Sequence, residues 1–188
     1  ADYRWPNPDT EDGLPYVGRD GQSNPNNFFG HRIALRTMRD AVAALAAAYA
    51  LEGHERYAEK AVQLLHTFFL NEDKRMNPHL LYAQAIPGVT KGRSIGIIDT
   101  LHLAEVPLAV NVLTSSKAMT PDILEGLKSW FTEYSDWLVT HPQGIQEMNH
   151  PNNHSVAFFV QLATFARLTG DREKLDLARQ RFKEVLLP

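Results

Sequence analysis

Apolar residues recur at helical spacing from about residue 35 onward. Leu35, Met38, Val42, Leu45 and Tyr49 step by three or four positions and draw one stripe along a helix. Gly53 suits the end of that helix, because a left-handed C-terminal cap favours a residue without a Cβ. A second helix follows, with Tyr57, Ala61, Leu64, Leu65 and Phe68 expected inward. From Asn71 to about Thr100 the periodicity dissolves, and so long a connection without elements of its own is usually functional. Helical pattern returns over His102–Thr114, where Pro107 must kink the helix or sit in its first turn. Thr120 then caps and Pro121 opens the clearest helix, whose face carries Leu124, Leu127, Phe131, Tyr134 and Leu138. Two further helices are predicted over 153–169 and 171–187, divided by Gly170.

An internal echo organises these elements. LEGHERYAEKAVQLL, from Leu51, and LTGDREKLDLARQRF, from Leu168, share the layout Leu-x-Gly-x-x, then charges, then an Ala-containing apolar stripe. A further helix pair fits between them, so three successive helical hairpins of similar design predict an all-α, stacked or curved array. Residues 1–27 stand apart. They are polar and broken by Pro6, Pro8, Gly13, Pro15, Gly18, Gly21 and Pro25, which predicts an irregular N-terminal region.

Composition narrows the field. At 188 residues and 44% hydrophobic content, the chain suits one compact domain with an ordinary core, taken as 1–188. A formal charge of −3 argues against nucleic acid or an anionic membrane as a partner held by bulk charge. With no cysteine, disulfides, thiolate metal sites and a Cys nucleophile are excluded. The segment AVAALAAAYAL is too short and Ala-rich to span a membrane. The opening ADYRWPNPDTEDG has no signal-peptide pattern and reads as a loop cut into, so a mature product or a fragment is expected.

Candidate chemistry concentrates in NHPNNHSVAFF, residues 149–159, where amides and imidazoles precede an abruptly apolar helix. Asn152 or Asn153 can serve simply as the helix cap, which accounts for one amide and not for the cluster. The functional reading sets Asn153 and His154 at a helix N-terminus facing a groove. There the helix dipole favours anions and disfavours imidazolium, leaving His154 a competent base. His150 and His154 have metal-ligand spacing, but Pro151 interrupts a helix through both and no His-Glu-x-x-His pattern is present, so no metal is expected. In YAQAIPGVTKGRSIG, the spacing of Gly88, Gly92 and Gly96 matches no phosphate-binding motif. Arg93 in the same loop is the stronger carboxylate ligand, since its planar fork binds two oxygens, with Lys91 beside it. In the N-terminal region Trp5, with Tyr16 and Arg19, offers an aromatic for stacking on a sugar, whereas Trp130 and Trp137 are expected to pack helices. His31 and Arg32 are placed at a groove border, and His102 is expected to pair with Asp99 in the interior. His54, His66, His79 and His141 suggest no partner.

Four blocks, WPNPDTEDGLPYVGRDGQSNP (5–25), MNPHLLYAQAIPGVTKGRSIGIIDT (76–100), LKSWFTEYSDWLVT (127–140) and NNHS (152–155), together resemble the alginate lyase superfamily in the right order. The resemblance implies an incomplete (α/α) toroid of antiparallel helical hairpins with long polar loops. It also implies β-elimination on a uronic-acid polymer, either mannuronate-rich alginate or another polyuronate such as glucuronan. In that chemistry one group neutralises the uronate carboxylate, a base removes the C5 proton, and an acid protonates the departing oxygen. The resemblance gives Asn153 the neutralising role and His154 that of base. Arg93, Gln84, Tyr82, Lys91, Asn152 and Trp5 are the substrate-binding candidates, with no cofactor. The family's tyrosine, its acid and in some descriptions also its base, lies in a segment that would follow the last helix, and the sequence stops at Pro188. The domain is therefore expected to lack its C-terminal part, which a second chain or segment would supply. Tyr82 is read as lining the groove beside Gln84 rather than as that acid. A periplasmic or secreted location comes from the same resemblance. The competing classes are a glycoside hydrolase, for which Asp9, Asp12, Asp99 and Glu105 are the available carboxylates, and a noncatalytic sugar-binding or scaffold module.

Overall fold

The computed structural model describes residues 1–187, and the fold is all-α. The helices are α1 (Gly30–Glu52), α2 (Glu55–Leu65), α3 (Val106–Leu113), α4 (Pro121–Thr140), α5 (Pro142–Met148), α6 (Asn153–Thr169) and α7 (Arg172–Arg181). Before α1, β1 (Arg4–Trp5) and β2 (Val17–Gly18) form a two-residue antiparallel ribbon within the otherwise irregular N-terminal region.

The echo between the two Leu-x-Gly segments extends further than the sequence pattern alone. Gly53 and Gly170 both adopt left-handed backbone, at φ 70° and 76°, and their N–H groups close on Tyr49 and Ala166. Each begins a short helix, and each short helix ends in one π turn, His66–Leu70 after α2 and Phe182–Leu186 after α7. The middle pair differs from the close hairpin expected. α3 packs on α1 and α6, while α4 packs on α6 and on the π turn after α2.

The stretch 71–100 is less irregular than its sequence suggests. A 3₁₀ helix runs from Ser94 to Glu105 and passes directly into α3, with Pro107 in the first turn of α3 as expected. Together Ser94–Leu113 are long and apolar enough to match a membrane span, at mean hydropathy 1.4. The packing of this stretch against α1, α5 and α6 explains its apolar character as core.

Cross-links fix how the elements run. Arg32 of α1 reaches Asp99 at 3.7 Å and Arg39 reaches Glu105 at 3.1 Å, so α1 and the 94–113 stretch are parallel. Thr100, Tyr134 and Gln161 meet in the interior. Tyr134 Oη and Thr100 Oγ1 are 2.6 Å apart, and Thr100 Oγ1 is 2.8 Å from Gln161 Oε1. Burial pushes the Tyr134 phenol well above its ordinary range, so it stays a neutral donor tying α4 to the 3₁₀ helix and α6. Around it Phe69, Trp130, Phe131 and Phe165 form an aromatic core, with Phe69–Trp130 and Phe131–Phe165 centroids 4.7 and 4.9 Å apart. Each such pair contributes about 0.5–1.5 kcal/mol beyond area burial. Trp130 and Trp137 pack helices as expected, and the Trp130 indole also donates to the Met76 carbonyl at 2.8 Å, anchoring the start of the long loop. Tyr57 lies half-buried instead of inward, with its hydroxyl on Glu52 at 3.0 Å. As a result the N-termini of α1, the 3₁₀ helix and α6, the C-terminus of α4, all of α5 and the 71–93 loop gather at one end of the array.

Candidate active site

The polar segment is built around α5, an element the sequence pattern did not reveal. His141 caps it, its Nδ1 accepting from the Gln143 amide at 3.2 Å, and Pro142 takes the first position. A Cβ at Gly144 would stand 2.0 Å from the Leu138 carbonyl oxygen, so only glycine lets α5 fold back onto the end of α4. Asn149 closes α5 by donating to Ile145, and receives Arg181 from α7 at 3.1 Å. Ser155 of α6 donates to the Met148 carbonyl at 2.8 Å.

This arrangement delivers Glu147, which is completely buried, to His154. Glu147 Oε1 lies 2.5 Å from His154 Nδ1, and the His150 ring stands 4.8 Å from the His154 ring. Burial pushes the Glu147 carboxyl above its ordinary range, while the hydrogen bond from His154 and the fields of His154 and His150 pull it back down. With Nδ1 facing the carboxylate, Nε2 is the ring nitrogen that remains for chemistry. His154 itself is partly exposed. Asn152 is the helix cap, one of the two roles the sequence offered it, its Oδ1 accepting from the His154 amide at 3.0 Å. Asn153, next to it, is exposed at the first position of α6.

The second cluster lies on the long loop. Arg93 Nη2 donates to Gln84 Oε1 at 2.8 Å and its Nε to the Gln84 carbonyl at 3.2 Å. Gln84 Nε2 in turn donates to Asp99 at 3.3 Å, and Gln84 holds a positive φ of 49° to make both contacts. Desolvation and the nearby Arg4 lower the Arg93 pKa, and the Asp99 carboxylate pulls it back up. Arg32 is held bidentately by Asp2 at 3.0 and 3.1 Å. It borders a hollow of about 250 Å³ together with Phe29 and Arg36. A larger hollow of about 450 Å³ lies elsewhere, between α2 and the start of α4 beside Val62 and Ile123.

Other expected residues fall differently. Tyr82 and Lys91 are exposed on the loop, Tyr82 with its ring 6.4 Å from His79. Trp5 donates to the Gln22 carbonyl and carries the Arg19 guanidinium 4.9 Å above its ring, so one stacking face is already covered. His102 faces Arg39 at 3.1 Å rather than Asp99, because Asp99 is turned toward Gln84 and Arg32. Gly92 serves chain packing, not phosphate: a Cβ there would meet the Leu81 carbonyl oxygen at 1.8 Å. Of the carboxylates weighed for hydrolysis, Asp99 and Glu105 are engaged by arginines, and Asp12 accepts from the Leu14 amide. Among the described residues no group of His, Asp and Glu has the geometry to hold a metal ion.

The alginate lyase family model matches residues 1–188. Among solved structures, the chain is similar to an alginate lyase from Bacteroides ovatus, at 41% identity and a TM-score of 0.90. The match covers 98% of this chain and 49% of that one, so the chain spans about half the length of its relative. No curated protein matches it.

Proposed function

The chain belongs to the alginate lyase family, and from that premise we propose that it forms the base-bearing part of a lyase that cleaves a polyuronate by β-elimination. In this reading a uronate ring lies across the end of the array with its C5 proton toward His154. Asn153 hydrogen-bonds the sugar carboxylate, and Arg93 adds charge in the same groove. Neutralising that carboxylate lets the electron pair released at C5 spread into an enolate-like form. His154 Nε2 takes the C5 proton, the pair closes the C4–C5 double bond, and the C4–O bond breaks. The departing glycosidic oxygen then requires a proton. Tyr134 is unsuited to supply it, being buried on Thr100. We assign that step to a second segment, equivalent to the half of the Bacteroides protein that this chain does not cover, which also completes the toroid. A polyuronate substrate outside the cytoplasm implies a periplasmic or secreted location.

The observation that best supports the reading is the pairing of His154 Nδ1 with buried Glu147 beside an exposed Asn153. It leaves one imidazole nitrogen for proton transfer next to an uncharged amide. The test is an ultraviolet absorbance screen on polymannuronate, polyguluronate and glucuronan. The 188-residue chain would be assayed alone and together with a segment corresponding to the uncovered half of the Bacteroides protein. Elimination adds a C4–C5 chromophore at each cut, expected on at least one polymer in the completed form. New reducing ends without the chromophore would make the protein a hydrolase, and neither signal would leave a binding module.

A further inference from the structure

We propose that Glu147 is a positioning residue that fixes the His154 tautomer and steadies the imidazolium formed during turnover. The proposal rests on the reading of His154 as the base, and it adds a residue that the family resemblance did not bring forward.

The geometry carries it. A completely buried carboxylate is costly unless it is paired. Glu147 has a single hydrogen-bond partner among the described residues: Oε1 meets His154 Nδ1, while Oε2 is buried without a partner. The one side chain that meets the carboxylate is therefore the His154 imidazole. The surrounding segment is organised to hold it. Glycine at position 144, the His141 cap, the Ser155–Met148 hydrogen bond and the Arg181–Asn149 contact all fix α5 against α4, α6 and α7. The titratable groups that face Glu147 are His154 and His150.

The chemical consequence follows from the hydrogen bond. An ionised Glu147 accepts a hydrogen bond from Nδ1–H, which keeps the ring hydrogen on Nδ1 and leaves Nε2 bare and able to take a proton. When Nε2 gains the C5 proton, the ring becomes cationic and the adjacent carboxylate stabilises it. A protonated Glu147 would do the reverse, donating to Nδ1 and placing the ring hydrogen on Nε2.

Histidine-selective ¹⁵N labelling of the 188-residue chain distinguishes these two arrangements by NMR, with the His154 signal assigned by its loss in His154→Asn. The expected spectrum at neutral pH shows protonated Nδ1 and bare Nε2 in the wild type. In Glu147→Met the equilibrium should move toward the Nε2–H form that free imidazole prefers, whereas Glu147→Gln, which keeps a carbonyl acceptor, should retain Nδ1–H. A wild-type spectrum with the hydrogen on Nε2 would overturn the proposal even if both variants failed to fold. So would a folded Glu147→Met protein with an unchanged tautomer. In the completed enzyme, Glu147→Gln should lower kcat on the order of 10–100-fold with KM within about threefold. Wild-type kcat in that variant would overturn the role in turnover. Absence of elimination by the wild type would defeat the lyase reading and leave the tautomer result standing.

Discussion

Arg93 and Gln84 show how one residue's conformation serves another's chemistry. A non-glycine residue at φ 49° carries a strain on the order of 1 kcal/mol. In return Gln84 offers both its carbonyl and its side-chain oxygen to the same guanidinium. If Arg93 holds a uronate carboxylate through its Nη1 end, the part of the guanidinium that Gln84 leaves open, Arg93→Lys should raise KM on the order of tenfold, with kcat within about twofold, because lysine presents only a point charge. Gln84→Ala should act in the same direction and less strongly, since Arg93 keeps its charge but loses its clamp. Steady-state kinetics of the completed enzyme checks both, and an unchanged KM in Arg93→Lys would remove it from the binding site. At this scale the sequence revealed residue types more readily than their partners. Arg93 stood out as a cation in a glycine-rich loop. Glu147 did not, because its burial and its approach to a residue seven positions later depend on how α5 folds back.

At the scale of elements, local chemistry decided what could be read. Thr120-Pro121 begins α4, and Gly53 and Gly170 end α1 and α6, because each of these choices is made within one helical turn. The 3₁₀ stretch from Ser94 escaped notice because its apolar face does not follow α-helical spacing. α5 escaped because His141-Pro142, the same kind of start signal as Thr120-Pro121, sits immediately after a long helix and before a polar run. Its dependence on Gly144 gives a direct expectation. Gly144→Ala forces a methyl against the Leu138 carbonyl, so α5 must shift, at a cost of about 1–3 kcal/mol. Urea unfolding should show that loss, and elimination activity should fall with it although Gly144 touches no substrate in this reading. A variant with unchanged stability and activity would mean that α5 need not be held tightly for Glu147 to do its work.

For the molecule as a whole, the repeated Leu-x-Gly segments announced an all-α array, and the fold agrees with that of the Bacteroides relative over nearly the entire chain. What periodicity could not supply was the grouping of the candidate residues at one end. That grouping follows from long-range pairs, Arg32 with Asp99 and Thr100 with Tyr134 and Gln161, which no local pattern encodes. The array brings one candidate base, one amide and one clamped arginine to the same end, in a chain about half as long as its relative. The most direct measurement is the ultraviolet absorbance of a polyuronate turned over by the completed enzyme, wild type against His154→Asn. Asparagine keeps a donor near Glu147, so the carboxylate is not stranded and circular dichroism should be unchanged. With His154 as the base, the wild type should generate the chromophore and the variant should lose it, by at least on the order of 100-fold. A folded His154→Asn enzyme that eliminates at the wild-type rate would contradict that role.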